Sequence, residues 1–161
     1  MLMYDIQQKM SFTCYYKTMS KVTPKSQAND LSGIWRSHYD YTSSTRKGHF
    51  ENEHYVMITH KGKRVTIKNL PHTSESEIEL QLEQDGRILT GTWRECTSPT
   101  GYYKGKVYHG AIQLSVTKDR TYIDGKWLGF GADLEINVGT WNFTRLGQSD
   151  SAALRAQAKT A

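Results

Sequence analysis

The sequence predicts an all-β protein: a single eight-stranded antiparallel up-and-down barrel over residues 31–146. Three observations carry this. Apolar and polar residues alternate from Leu31 to Leu146, the period of a strand with one buried face. Turn residues punctuate that alternation at regular intervals, and no segment within it sustains helical periodicity. Finally, all four tryptophans (Trp35, Trp93, Trp127 and Trp141) have a glycine two places before them, in "SGIWRS", "LTGTWRE", "IDGKWLG" and "NVGTWNF".

Taken in order, the alternation marks strands at 33–41, 51–60, 63–69, 76–83, 87–95, 106–118, 121–130 and 137–146. The separators "HKGKR", "EQDGR" and "TKDRT" have turn chemistry, and Asp85-Gly86 is the sharpest hairpin signal. Eight strands joined mostly by tight turns form a meander, and a meander leaves two raw edges unless it closes. Eight is a number at which closure is natural. A closed barrel is therefore predicted, with an open sandwich as the alternative. Outside it, residues 1–30 read as an N-terminal extension and linker, with a short helix or added strand in the first 20. Residues 147–161 read as a disordered tail or short helix.

In a strand, residues i and i+2 share a face, so each glycine lies beside its tryptophan. On the inside of a narrow barrel, the bare glycine gives the indole room and allows the strand to coil sharply. With the tryptophans inward, parity places Ser37, Tyr39, Glu95 and Arg145 on the lumen side. Core positions Val56 and Ile58 bring in His54 and Asn52, and the series Ile112, Leu114, Val116 adds Tyr108. These residues predict a polar upper half above an aromatic floor, as in a ligand-binding barrel. The competing reading is an internal hydrogen-bond network around ordered water.

The chain of 161 residues has a formal charge of +5, with 23% charged and 37% hydrophobic residues, a soluble composition. No stretch approaches the roughly 18 apolar residues of a membrane span, and the first 20 residues do not form a signal peptide. Cys14 and Cys96 are far apart, which predicts reduced thiols in the cytoplasm. The six histidines contain no HxH or HExxH spacing, so no metal site and no cofactor are predicted. A haem barrel, which needs one axial histidine, is compatible with the spacing. No motif demands catalysis. A salt bridge from Glu95 to Arg36, Arg94 or Arg145 is the blander role for that carboxylate.

One connection stands apart. The loop in "TSPTGYYKGKVYHG" sets Tyr102, Tyr103, Lys104 and Lys106 close together, a pattern suited to stacking on a base and neutralising a phosphate. The bland reading is a lid packing its own tyrosines. "PHTSESE" is a second candidate rim loop.

The segments "LSGIWRS", "LTGTW" and "GTWNFTRL" resemble the first, middle and last strands of avidin-like barrels, within the calycin architecture. Biotin binding is not carried over, because the later tryptophans do not follow that group's pocket order. "LPHTSESEIEL", "GYYKGKVYHGAIQL" and "GKWLGFGADLEINVGTW" resemble a C-terminal domain that follows a helix-turn-helix in some bacterial transcription regulators. That resemblance implies a small-molecule sensor. The fold also resembles the barrel that reads cyclic oligonucleotides in anti-phage effectors, which implies a cyclic or linear nucleotide ligand. The 30 residues before the barrel are too few for a helix-turn-helix, so direct DNA binding is not expected, and homo-oligomer and monomer both stay open. The expected function is thus non-catalytic small-ligand binding through Ser37, Tyr39, His54, Glu95, Tyr102, Tyr103, Lys104, Tyr108 and Arg145. The rival is a protein-interaction module with a solid core.

Overall fold

The segment "EIELQLEQ" shows how the sequence builds this protein: Ile78, Leu80 and Leu82 face one way and are buried, while Glu77, Gln81 and Glu83 face water. The same alternation forms eight strands in the computed structural model, which describes residues 29–70, 74–131, 134–147 and 156. They are β1 (Gly33–Ser43), β2 (Gly48–Lys61), β3 (Arg64–Asn69), β4 (Glu77–Asp85), β5 (Ile88–Cys96), β6 (Val107–Val116), β7 (Tyr122–Phe130) and β8 (Ile136–Gly147). Each pairs antiparallel with the next, and β8 pairs back onto β1, so the sheet is a closed barrel and not a sandwich. The expectations for residues 1–28 and for most of the 147–161 tail fall outside the described residues.

Boundaries differ from the sequence expectation in two instructive places. The first hairpin is longer: β1 and β2 stay paired out to Ser43↔Gly48, and the turn closes with Lys47 at a φ of 50°. The sixth strand is shorter, ending at Val116. Thr117 donates its hydroxyl to Asp119 at 2.6 Å, and Arg120 takes a φ of 58°, so side-chain bonding wins over continued pairing there.

All four indoles point inward and are buried, Trp35 completely. The role of the glycines is partly other than expected. In β7–β8 the two Gly-x-Trp units interlock, with Trp127 opposite Gly139 and Gly125 opposite Trp141. A Cβ on Gly139 would sit 2.6 Å from Trp127 Nε1, and one on Gly110 would sit 2.7 Å from Trp93 Nε1. At both, a backbone carbonyl is nearer still, Asp40 O at 2.3 Å and Leu128 O at 1.8 Å; Gly139 thus clears the way for Trp127 and not for its own Trp141, and Gly110, which belongs to no Gly-x-Trp pair, does the same for Trp93. At Gly91 and Gly125 all the near obstacles would be backbone, first the carbonyls of Gln81 and Gln113 at 2.0 and 2.1 Å. There the glycine serves the coiling of the sheet.

Having crossed a glycine, each indole donates beyond it. Trp93 on β5 passes Gly110 on β6 and bonds Leu128 O on β7 at 3.1 Å. Trp127 on β7 passes Gly139 on β8 and bonds Asp40 O on β1, also at 3.1 Å, stapling the seam where the barrel closes. Asp40 reinforces the seam by accepting from the Thr140 hydroxyl at 2.5 Å.

The two ends of the barrel differ. At one end, residues 29–32 fold across the opening, Leu31 is fully buried, and Trp35 donates to Leu31 O at 2.9 Å. At the other end the lumen opens between the connections β1–β2, β5–β6 and β7–β8.

Candidate functional site

The open end holds a cavity of about 270 Å³. Its floor is aromatic. Trp93 meets Trp127 and Trp141 edge-on at centroid distances of 5.3 and 5.9 Å, and Tyr39 lies 4.7 Å from Trp141. Asn52, Glu95 and Tyr108 form walls, at the mouth-side ends of β2, β5 and β6. Tyr41, Arg46, Tyr102 and Tyr103 reach it from the rim.

At the junction of wall and floor, Tyr39 collects three groups. Its hydroxyl donates to Glu95 Oε1 at 3.0 Å and accepts from Asn52 Nδ2 at 3.1 Å. The His54 ring stacks on it, with planes 5° apart and Nε2 3.5 Å from the hydroxyl. His54 Nδ1 is buried with no hydrogen-bond partner among the described residues. Burial lowers the His54 pKa to about 4, so the ring is neutral. Burial raises the Tyr39 pKa, and the neighbouring Glu95 charge raises it further. Burial likewise raises Glu95 above the ordinary carboxylate range, opposed by hydrogen bonds from Tyr39 and Ser76. Among the described residues Glu95 has no salt bridge, so pairing with Arg36, Arg94 or Arg145 does not occur; Arg36 pairs with Glu53 at 3.9 Å.

The rim is a bonded structure. Tyr103 donates to Ser43 Oγ at 2.7 Å, tying loop 97–106 to the β1–β2 turn, and packs edge-on against Tyr108 at 5.9 Å. Ser44 donates to Glu135 Oε1 at 2.9 Å, tying that turn to the β7–β8 connection. Glu75 accepts from Ser98 and from Thr100, the latter at 2.5 Å. Arg46 Cζ lies over Phe50, 3.8 Å from the ring centroid, and 5.4 Å from the Tyr102 centroid.

Of the residues proposed from sequence, Tyr39, Glu95, Tyr102, Tyr103 and Tyr108 line this cavity. Ser37 and His54 lie a layer deeper; Ser37 accepts the Trp141 indole N–H at 2.8 Å. Arg145 faces inward, but at the closed end. It stacks 5.3 Å from Trp35 and donates to Asp30 O, Ser32 O and Arg120 O, fastening residues 29–32 as a plug. Strand parity fixes a residue's face and not its depth, and Arg145 lies four residues beyond Trp141 on a strand that runs away from the mouth. Lys104 stands at the loop tip with a φ of 49°, exposed and outside the cavity lining, and Lys106 is also outside it.

Tyr41 and Arg46 line the cavity without having been predicted. Tyr41 continues the inward series Ser37, Tyr39, and parity extended by two residues would have found it. Arg46 lies in a turn, where no periodicity speaks. In the second rim loop Ser76 bonds Glu95 and Ser98, while residues 71–73 lie outside the described residues. No group of three or more His, Cys, Asp or Glu among the described residues is placed to hold a metal ion. None of the described helices is long and apolar enough to cross a membrane.

Comparison with known proteins returns a weak structural likeness. No protein family matches the chain, and no curated protein matches it. Among solved structures, it is similar to a tryptophan-to-alanine mutant of the vaccine antigen Transferrin Binding Protein B from Haemophilus parasuis Hp5. The TM-score is 0.45 at 11% sequence identity, covering 71% of this chain and 26% of that one. The chain thus spans about a quarter of that protein's length.

Proposed function

We propose that this barrel is a non-catalytic binding domain that holds a small polar molecule with an aromatic or similarly flat part in its open end, as a sensor or sequestering protein. The observation that carries the reading is the cavity of about 270 Å³, floored by three indoles and lined by the half-buried carboxyl group of Glu95. Ligand sites are typically concave, mostly apolar and equipped with a few converging polar groups. The resemblance to calycin-like barrels and to sensor domains points the same way. A nucleobase-sized group fits the tyrosine-rich rim. The phosphate grip expected of Lys104 has no counterpart in the lining, where Arg46 is the cationic side chain among the described residues. The proposed setting is the cytoplasm, from the spacing of the two cysteines.

Native mass spectrometry of protein purified from its own host tests this, because a retained ligand adds mass. A thermal-shift screen of small polar aromatics, including cyclic and linear nucleotides, complements it. A ligand at a hundred times its Kd stabilises the native state by about 2.7 kcal/mol, a rise of several degrees in Tm. If no mass is retained and no compound shifts the melt, the reading fails.

One observation favours the rival, a protein-interaction module. Leu128, Phe130, Ile136 and Val138 form paired, exposed apolar positions on the outside of β7 and β8. A closed barrel offers no free sheet edge, so a partner would dock on this face. Phe130→Asp should then abolish partner capture without changing small-ligand binding.

A further inference from the structure

The charge in the cavity wall is unbalanced at Glu95. Glu95 accepts from Tyr39 and from the Ser76 hydroxyl, both neutral donors. Among the described residues no Lys, Arg or His lies within salt-bridge distance of it. Arg46, the cationic group on the rim, is occupied over Phe50 and against the Tyr41 hydroxyl at 3.5 Å. Glu95 is half-buried, and a carboxylate withdrawn from water without a counter-ion is costly, so folded proteins pair such groups or leave them protonated. Here the carboxylate lines an open cavity, so its counter-ion has a route in from solution.

The surfaces around it suit one kind of counter-ion. Tyr39, Tyr41, Tyr108 and Trp141 surround the space with rings, whose faces carry the negative lobe of the aromatic quadrupole and attract cations. An anionic head would meet Glu95, and Glu135 at the rim, as like charges. A neutral donor would satisfy hydrogen bonding but leave the charge uncompensated. Resting on the small-ligand reading above, we infer that the cavity selects an organic ammonium cation, with the cationic head against Glu95 and the tyrosine and tryptophan faces around it.

The test compares choline, its neutral isostere 3,3-dimethylbutan-1-ol, and adenosine monophosphate, read by calorimetry and by fluorescence of the floor tryptophans. The expected result is that choline binds at least about tenfold tighter than the isostere, equivalent to 1.4 kcal/mol. Glu95→Gln should abolish that preference while leaving isostere binding in place. A second measurement needs no variant. Choline has no titrating group in the cationic head, so its affinity should fall with decreasing pH as Glu95 takes up a proton, while isostere binding stays flat. The other groups facing this space are the Tyr39, Tyr41, Tyr103 and Tyr108 hydroxyls, Arg46, Glu135 and, beneath Tyr39, His54. Glu135→Gln controls for the second carboxylate and should keep the pH dependence. Equal affinity for choline and isostere, or tighter binding of the monophosphate, overturns the cation inference and leaves the cavity reading standing. Binding of none of the three overturns both.

Discussion

At the scale of single residues, His54 and Glu95 form two opposed proton switches about one phenol. His54 is buried with its pKa lowered to about 4, against 6.5 ordinarily. Above pH 6.5 the ring is neutral in folded and unfolded chains and contributes no slope. Below that, the unfolded chain binds a proton that the native site refuses, so stability falls by about 1.4 kcal/mol per pH unit until about pH 4. Glu95 has the reverse sign: its native pKa is raised, so stability is lost as pH climbs from the ordinary carboxylate range through the native value. The two effects oppose each other in mildly acidic solution. Subtraction separates them: urea titrations of wild type and His54→Phe between pH 4.5 and 7.5 should diverge progressively below pH 6.5, with the wild type losing more. Parallel curves would mean that His54 is protonated in the folded protein.

Within and between elements, the glycines make the sharper prediction. Gly139 is a lumen-facing position whose Cβ would lie 2.3 Å from Asp40 O and 2.6 Å from Trp127 Nε1. Neither neighbour yields easily, since the indole is bonded to that same carbonyl. Gly139→Ala should therefore cost at least about 1–3 kcal/mol, the usual range for overpacking, seen as a lowered midpoint in chemical denaturation. A midpoint equal to wild type would remove the interlocking role of the Gly-x-Trp units. For loop 97–106, the division of labour is equally testable. Lys104→Ala should leave ligand affinity unchanged within twofold. Tyr103→Phe deletes the bond to Ser43 and should loosen the rim, weakening binding mainly through faster dissociation in stopped-flow measurements.

For the molecule as a whole, the closed end is plugged and the open end holds the candidate site. Trp35 lies wholly in the former: fully buried, bonded to Leu31 O, and covered by the Arg145 guanidinium. Trp35→Ala should cost about 3–5 kcal/mol, and Arg145→Leu should release residues 29–32 without touching the cavity. Far-UV circular dichroism should keep its strand-dominated shape in the second variant, while its amide hydrogen exchange rises at residues 29–32. Retention of the preference for choline over its neutral isostere in Arg145→Leu, against loss of that preference in Glu95→Gln, would fix which end of the barrel binds.

By itself, the sequence determined that the protein is all-β, which segments are strands, and which side chains turn inward. Those properties are local: alternation has a period of two, and turns at Gly62 and Gly86 need the positive φ of 63° and 59° that glycine accepts. Ser37, Tyr39, His54 and Tyr108 were legible for that reason. Depth along the barrel was not legible, because it depends on how eight antiparallel strands are staggered, and that stagger is set by pairing between residues far apart in sequence. Tyr39 and Arg145 have the same parity, yet one lies at the cavity and the other plugs the far end. Lys104 shares a loop with Tyr103, yet the turn through φ 49° sends it to the tip while Tyr103 bonds across the mouth to Ser43. Only the tertiary structure decided that Glu95 stands in an aromatic cavity with no salt-bridge partner among the described residues, because which side chains from distant strands come within reach depends on pairing and stagger.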